Sequence, residues 1–231
     1  MDGLVTQGAS PRTGGHGLRE YRLLVYPDAT VYNKLMAVKQ RFFINYGIEK
    51  TVNTVPHIMV AGFYASEGME ETLIRWIQRI CSRFNSFPVN LNNYSGIPTH
   101  SIYLRIQNPQ PFKQLTRELQ VIDDYVRSSS GRSARLIQPY LSIASELPEQ
   151  VFLKAMPVYS RKTFHARFTA HELVLLAKDH PFASSKTVTV FRFLPACAEA
   201  SAGKPASGQA SVSKSASGEA SAGRSANIKV A

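Results

Sequence analysis

Two short segments of this chain place groups suited to proton transfer at matching positions. The first reads Pro-His-Ile-Met-Val-Ala and contains His57 and Met59. The second, 83 residues later, reads Pro-Tyr-Leu-Ser-Ile-Ala and contains Tyr140 and Ser142. An imidazole can act as a general base, a phenol can donate a proton, and a serine hydroxyl can donate a hydrogen bond to an anionic oxygen. The repeated segment therefore suggests a two-fold site built around one ligand.

Both segments have the alternating pattern of a half-buried β-strand. Successive side chains of an extended chain point to opposite faces, so Ile58 and Val60 are expected to face a core. His57 and Met59 then share the other face, and the second segment divides in the same way. A histidine at such a position is commonly only a half-exposed polar residue, and the duplication is what favours a functional role for His57.

The residues before the first copy predict a strand at 21–26 and then a long helix. Asp28 is placed to cap the start of this helix, because an aspartate accepts a hydrogen bond from a free amide of the first turn. Gly47 is placed to end it, because glycine readily adopts the left-handed conformation. The predicted buried stripe has helical spacing and consists of Val31, Leu35, Val38 and Phe42.

Each copy is followed by a helix and then by a pair of strands. In the first of these helices, at 67–84, the apolar spacing predicts that Trp76 is a core residue. Because the same order of elements recurs after the second copy, we expect an internal duplication with a mixed α+β fold. The predicted strands after the two copies are 87–93, 101–106, 164–168, 172–177 and 187–193.

Charge and composition favour an anionic partner. The formal net charge is +11 and the pI is about 9.8, which suits a nucleic acid or a phosphate ester. No apolar run approaches the roughly 20 residues of a membrane helix, and the first residues lack the apolar centre of a secretory signal. We therefore expect no membrane partner and a cytoplasmic protein. Cys81, Cys197 and the histidines lack metal-ligand spacing, so the sequence predicts no metal and no cofactor.

The composition divides the chain into three parts. Residues 1–18 are rich in Gly, Ser, Thr and Pro and are predicted to be a disordered leader, while residues 19–194 form the folded domain. Residues 195–231 are rich in Ala, Ser and Gly with a period of five, which predicts a disordered tail. Four basic and two acidic residues give the tail +2, so residues 1–194 keep +9. An interaction protein that uses the tail as a tether is a further class of function consistent with this pattern.

The paired segments and the order of elements resemble the 2H phosphoesterases over roughly residues 21–194. This family includes the 2',5' RNA ligases and RNA cyclic phosphodiesterases, and the stretches at 91–96 and 100–104 are similar to a bacterial branch of it. The resemblance implies a bilobal fold in which two antiparallel sheets, with helices outside, enclose a central groove. It also implies metal-independent chemistry on an RNA 2',3'-cyclic phosphate or a 2',5' linkage. Each half would supply a His-x-Thr/Ser motif, with one histidine as base, the other as acid, and the hydroxyls on the phosphate oxygens.

Both motifs depart from the family pattern. His57 fills the first histidine position, but Met59 replaces the hydroxyl residue, and a thioether cannot donate a hydrogen bond to phosphate. In the second motif Tyr140 replaces histidine, while Ser142 keeps the hydroxyl. A tyrosine, with an ordinary pKa of about 10, is nearly all protonated at neutral pH and would be a poor base.

Two hypotheses about activity follow from these departures. In the first, the chain is a weakened enzyme in which His57 is the base, Tyr140 the acid or a donor to a phosphate oxygen, and Ser142 a phosphate anchor. Met59 then lines the substrate site. In the second, the chain is a catalytically inactive pseudoenzyme that still binds an RNA end or a nucleotide, and Tyr140 fills the volume of the missing histidine.

Three arginines are further candidates for phosphate contacts, because a guanidinium group pairs bidentately with phosphate. They are Arg22, Arg105 and Arg135, and the alternative for each is a solvated surface charge. His100 lies within a stretch similar to the family, and its alternative is a turn or strand-edge residue.

Overall fold

The computed structural model describes residues 17–130, 133–136, 138–180 and 183–196. The predicted leader up to residue 16 and the predicted tail from residue 197 lie outside the described residues. The strands within the described part are β1 (Leu18–Val25), β2 (Ile58–Ser66), β3 (Phe87–Ile97), β4 (Ser101–Ile106), β5 (Arg135–Leu136), β6 (Tyr140–Ala144), β7 (His165–Ala170), β8 (Glu172–Lys178) and β9 (Lys186–Arg192).

Helices connect many of these strands. A short 3-10 helix at Glu67–Met69 directly precedes the α-helix that begins at Glu70. Among the helices of the described ranges, none has the length and apolar character that crossing a membrane requires. The α-helices are α1 (Ala29–Tyr46), α2 (Glu49–Asn53), α3 (Glu70–Cys81), α4 (Gln110–Glu118), α5 (Gln120–Ser130) and α6 (Glu149–Ser160).

The strands pair in an antiparallel manner, and with the helices they confirm the α+β class. The hydrogen-bonded order is β7-β3-β4-β6-β2-β1-β8-β9, and β5 adds to β2. Near the centre of this strand order, β2 and β6 are joined by the pairing of Ile58 with Leu141. The sheets expected for two lobes are therefore continuous through this contact.

The strands that follow each copy along the chain pair toward the other copy. β3 and β4 follow the first copy along the chain, but β4 pairs with β6, the strand of the second copy. β8 and β9 follow the second copy, and they reach β2 through β1. Each copy strand is thus supported by elements from the other half, and this pairing brings the two copies side by side.

The alternation predicted for the two copies is confirmed. Ile58 and Val60 are 0% and 1% exposed, and Leu141 and Ile143 are both 0% exposed. The residues between them are partly exposed. Since burying a large aliphatic side chain contributes about 1.5–3 kcal/mol, a one-residue slip that exposed these four would be strongly disfavoured.

Helix α1 begins and ends as its sequence predicts. The Asp28 carboxylate accepts a hydrogen bond of 2.8 Å from the amide of Val31, and Gly47 adopts the left-handed conformation with φ 71°. The predicted buried stripe is wrong at one position, because Lys39 is 2% exposed while Val38 is only partly buried. Position 39 continues the four-residue spacing of the stripe, and the folded protein buries a lysine there.

The prediction that Trp76 is a core residue is wrong. Its side chain is 37% exposed, and its ring lies 5.4 Å from the ring of Tyr125 on helix α5. The buried face of helix α3 consists of Leu73, Ile77, Ile80 and Cys81. Trp76 lies at the edge of that face. The spacing of apolar residues within one helix does not show which other element covers a residue at the edge.

Candidate active site

The two copy strands present their non-core side chains on a common face. We call this face of β2 and β6, defined by His57, Met59, Tyr140 and Ser142, the site face. All four side chains are partly exposed, whereas their sequence neighbours in the two strands point into the core. The structure therefore brings together the four residues that the sequence selected.

The pairing of Ile58 with Leu141 determines which of these residues lie opposite one another. Because β2 and β6 are antiparallel, one step along each strand places His57 across from Ser142. One step in the other direction places Met59 across from Tyr140. The histidine and hydroxyl that match the motif pattern thus form one cross-strand pair, and the two replaced positions form the other.

His57 has the tautomer that a general base requires. Its Nδ1 lies 2.8 Å from the backbone carbonyl oxygen of Val55. A carbonyl oxygen only accepts, so the neutral ring that makes this bond carries its proton on Nδ1. The lone pair then resides on Nε2. The ring of Tyr26 meets the imidazole edge-on at 6.4 Å and supports this orientation.

The surroundings of His57 favour its neutral form. Burial lowers the pKa of His57 below its ordinary value, and the positive charges of Lys39 and Arg22 lower it further, while the hydrogen bond to Val55 acts in the opposite direction. A histidine with a lowered pKa is deprotonated at neutral pH. His57 is therefore a ready proton acceptor without a preceding ionisation step.

Tyr140 belongs to an aromatic contact at the same face. Its ring lies 4.9 Å from the ring of Tyr103, with an interplanar angle of 48°. In the pairing of β4 with β6, Tyr103 lies across from Ser142 and Arg105 lies across from Tyr140. Tyr103 could not be recognised as a site residue from the sequence, because only the pairing of β4 with the second copy places it at the site.

The same row of side chains continues over two more strands. Arg105 pairs with Asn92 on β3, and Asn92 pairs with His165 on β7. The Oδ1 atom of Asn92 is buried and makes no hydrogen bond to any described residue. Tyr140 thus begins a polar and basic row that leads away from the site along the sheet.

The three candidate arginines lie at different places in the fold. Arg105 on β4 pairs with Tyr140. Arg22 on β1 and Arg135 on β5 lie on opposite sides of β2, and both pair with Gly62 of that strand. A Cβ added at Gly62 would lie 4.0 Å from the sulfur of Met59, so this position adjoins the site face. Arg22 also makes an ion pair of 2.7 Å with Glu20, which offsets part of its charge.

His100, the remaining candidate, lies in the turn between β3 and β4, and its side chain is exposed. Its backbone carbonyl accepts a hydrogen bond of 2.9 Å from the amide of Leu147. This contact fits the turn interpretation. Among the described residues, no cluster of His, Cys, Asp or Glu has the arrangement of a metal site.

Lys39 is a buried amine whose positive charge acts on His57, and it was not among the candidates that the sequence indicated. Its Nζ donates a hydrogen bond of 3.0 Å to the backbone carbonyl of Thr51, and the hydroxyl of Thr51 is buried without a partner among the described residues. Burial lowers the pKa of Lys39 from 10.5 to about 8. Its appearance in an otherwise apolar helical stripe is the one sequence signal that could have identified it.

Replacing Lys39 with methionine is expected to stabilise the protein at neutral pH. The lowered pKa means that the folded state disfavours the charged amine, and this penalty is complete below about pH 8 and vanishes as the pH approaches 10.5. Allowing about 1 kcal/mol for the lost hydrogen bond, we expect the free energy of unfolding to rise by about 1–3 kcal/mol at pH 7.

The measurement is urea unfolding of the wild type and of Lys39→Met at pH 7 and pH 10. The difference should shrink or reverse at the higher pH. Lys34→Met, at an exposed position of the same helix, is the matched control and should change stability little at either pH. A destabilised Lys39→Met variant at pH 7 would contradict the burial penalty.

The fold of this chain is similar to that of several solved structures. The structure matches Escherichia coli LigT complexed with 3'-AMP at a TM-score of 0.56 and 13% identity, covering 76% of this chain and 98% of LigT. It matches LigT complexed with ATP at 0.51 and 11%, covering 77% and 99%. It matches TT0787 of Thermus thermophilus at 0.52 and 10%, with coverage of 77% and 99%. These likenesses establish the fold.

The sequence itself supports the same class. A profile of the 2'-5' RNA ligase superfamily matches residues 44–181, which is more than half of the 231-residue chain. The chain therefore belongs to the 2'-5' RNA ligase superfamily, as the resemblance of its paired motifs predicted. A search of curated proteins returned no match.

Proposed function

We propose that this chain binds and acts on an RNA 2',3'-cyclic phosphate or 2',5' phosphodiester, at a rate reduced by the loss of two motif groups. The observation that carries the proposal is the antiparallel pair of Ile58 with Leu141, because one step along each chain from it brings His57, with its lone pair on Nε2, across from Ser142. Membership of the superfamily supports the reaction class. The complexes of LigT with 3'-AMP and ATP support a nucleotide ligand by analogy.

In the proposed reaction, Nε2 of His57 removes a proton from water as the water oxygen attacks phosphorus. A new P–O bond forms and one of the two ester P–O bonds of the cyclic phosphate breaks. The departing sugar oxygen takes a proton either from solvent or from the Tyr140 hydroxyl, which then regains a proton from solvent, and the proton on His57 returns to solvent. Ser142 donates a hydrogen bond to a non-bridging oxygen, and Arg105, across from Tyr140, offsets the negative charge.

A second candidate function is binding of the same ligand without turnover. The replaced pair favours this alternative, because Met59 has no donor and the Tyr140 ring is held against Tyr103. A tyrosine packed in this way serves as a wall of the site. Binding would then be retained through His57, Ser142 and the neighbouring arginine.

The direct test is incubation of the purified protein with an RNA ending in a 2',3'-cyclic phosphate over a range of pH. Because the pKa of His57 lies below 6.5, we expect kcat/KM to rise with pH only in the acid range and to be level around pH 7–8. Binding without any hydrolysis would favour the second candidate. If the protein neither binds nor hydrolyses this RNA, both candidate functions are wrong.

Replacing Ser142 with alanine is expected to lower kcat/KM by about 10- to 100-fold, because a hydrogen bond to a charged group contributes about 1.5–3 kcal/mol. Ser142→Thr keeps the hydroxyl and should retain most of the activity. If Ser142→Ala and Ser142→Thr behave alike, the hydroxyl does not hold the phosphate.

A cytoplasmic location and chemistry without a metal or cofactor stay predictions from the sequence.

A further inference from the structure

Backbone pairing between the two copy strands is short. Within the described ranges, Ile58 with Leu141 is the one register pair that joins β2 to β6. His57 and Ser142 lie one residue beyond that pair along their strands. Because a single backbone pair contributes little net free energy, contacts outside the ladder are needed to fix the separation of His57 from Ser142.

An ion pair lies on that side of the strand junction. Lys50 of helix α2 precedes His57 by seven residues, and Glu146 follows Ser142 by four. The Nζ atom of Lys50 donates a hydrogen bond to Oε2 of Glu146. We call Lys50 and Glu146 the clamp. It joins the helix before the first copy to the segment after the second copy, next to the pair of His57 and Ser142.

The backbone on both sides of the clamp is anchored in the fold. One neighbour of the clamp is Thr51, whose backbone carbonyl accepts a hydrogen bond of 3.0 Å from the buried amine of Lys39. The other neighbour is Leu147, which is 4% exposed and whose amide donates a hydrogen bond of 2.9 Å to the carbonyl of His100. The clamp therefore connects two backbone segments that are each held by other elements.

The backbone of Glu146 supports a specific role for its side chain. Its φ is 55°, in the left-handed region, which glycine and asparagine adopt more readily than glutamate does. The hydrogen bond and the charge of Lys50 hold the pKa of Glu146 below its ordinary value, so the carboxylate is ionised at neutral pH. An unfavourable backbone conformation at a charged residue indicates that the carboxylate is needed at this position.

We propose that Lys50 and Glu146 are positioning residues, which hold His57 at a fixed separation from Ser142. Helix α2 leads into the segment whose Val55 carbonyl accepts the hydrogen bond from Nδ1 of His57. A shift of α2 would therefore move Val55 and, with it, the imidazole. The inference rests on the proposed function in one respect, namely that His57 and Ser142 act on the same phosphate.

The first test does not depend on activity and measures, by NMR on the full chain, how fast the Nδ1 proton of His57 exchanges with solvent. Lys50→Met and Glu146→Gln should each speed this exchange by about two- to five-fold, the range expected of an exposed ion pair. The double variant should exchange no faster than either single variant, because the two residues act through one contact. The charge swap Lys50→Glu with Glu146→Lys should restore the slow exchange. Glu71→Gln, which breaks an exposed ion pair with Arg75, is the matched control and should change nothing.

The second test is steady-state hydrolysis of RNA 2',3'-cyclic phosphate by the same variants. Each single variant should lower kcat by about two- to five-fold and leave KM unchanged, and the charge swap should recover kcat. Glu146→Gly relieves the left-handed backbone, so it should melt no earlier than the wild type and still lose kcat as Glu146→Gln does. Unchanged exchange of the His57 proton in an active enzyme would overturn the clamp while the proposed function stands. Exchange that responds to the clamp variants in a protein without hydrolysis would support the clamp while the proposed enzymatic function fails.

Discussion

Replacing His57 with alanine is expected to lower the rate of hydrolysis of RNA 2',3'-cyclic phosphate by about 10²- to 10⁴-fold, the usual contribution of a positioned general base. The expectation follows from the bond between Nδ1 and the Val55 carbonyl, which leaves Nε2 as the proton acceptor. It also follows from the lowered pKa of His57, which keeps the ring neutral at the pH of the assay. The measurement is steady-state hydrolysis at pH 7 and pH 8.

The matched control for this variant is His171→Ala. His171 is exposed, lies between β7 and β8, and is not part of the site face. Its removal should leave the rate unchanged. Melting curves of both variants should resemble that of the wild type, because neither side chain belongs to the core. If His57→Ala keeps the full rate, the proton acceptor is another group and the assigned base is wrong.

The double variant Met59→Thr with Tyr140→His is expected to raise the rate by about 10²- to 10⁴-fold. It supplies the second histidine and the second hydroxyl of the motif pattern, and the histidine adds a general acid matched to neutral pH. The physical reason for changing both residues is their position, because the register places Met59 across from Tyr140. A new hydroxyl and a new imidazole would therefore meet at the same phosphate.

The single variants are the controls, and each should gain less than the double variant. Neighbouring groups that contact one ligand are coupled, so the gain of the pair should exceed the sum of the single gains in free energy. Tyr140→His also removes the ring contact with Tyr103. A folded double variant with no gain in rate would count against the register-based placement of the pair.

Much of the secondary structure could be predicted because its causes are local. The start of helix α1 depends on one carboxylate, that of Asp28, and its end depends on the left-handed backbone of Gly47. The strand character of both copies depends on alternation over six residues, and the burial of Ile58 and Leu141 confirms it. Such features require only neighbours along the chain, and these are visible in the sequence.

Other features could not be predicted because they depend on contacts between distant segments. The side chain of Trp76 is covered in part by Tyr125 rather than by the core, and Lys39 is buried within an apolar stripe. Tyr103 reaches the site only because β4 pairs with β6. In each case the partner comes from another element, and periodicity within one helix or strand contains no information about it.

The sequence by itself determined the class of fold, and it predicted an internal duplication and four candidate site residues, because repetition and alternation are properties of the chain. It also suggested that each copy had lost one functional group. Only the tertiary structure decided how the remaining groups are paired. The antiparallel contact of Ile58 with Leu141 places His57 opposite Ser142 and puts both replacements in the other pair. Register between strands 83 residues apart is determined by long-range packing, and this packing concentrates the losses on one side of the site.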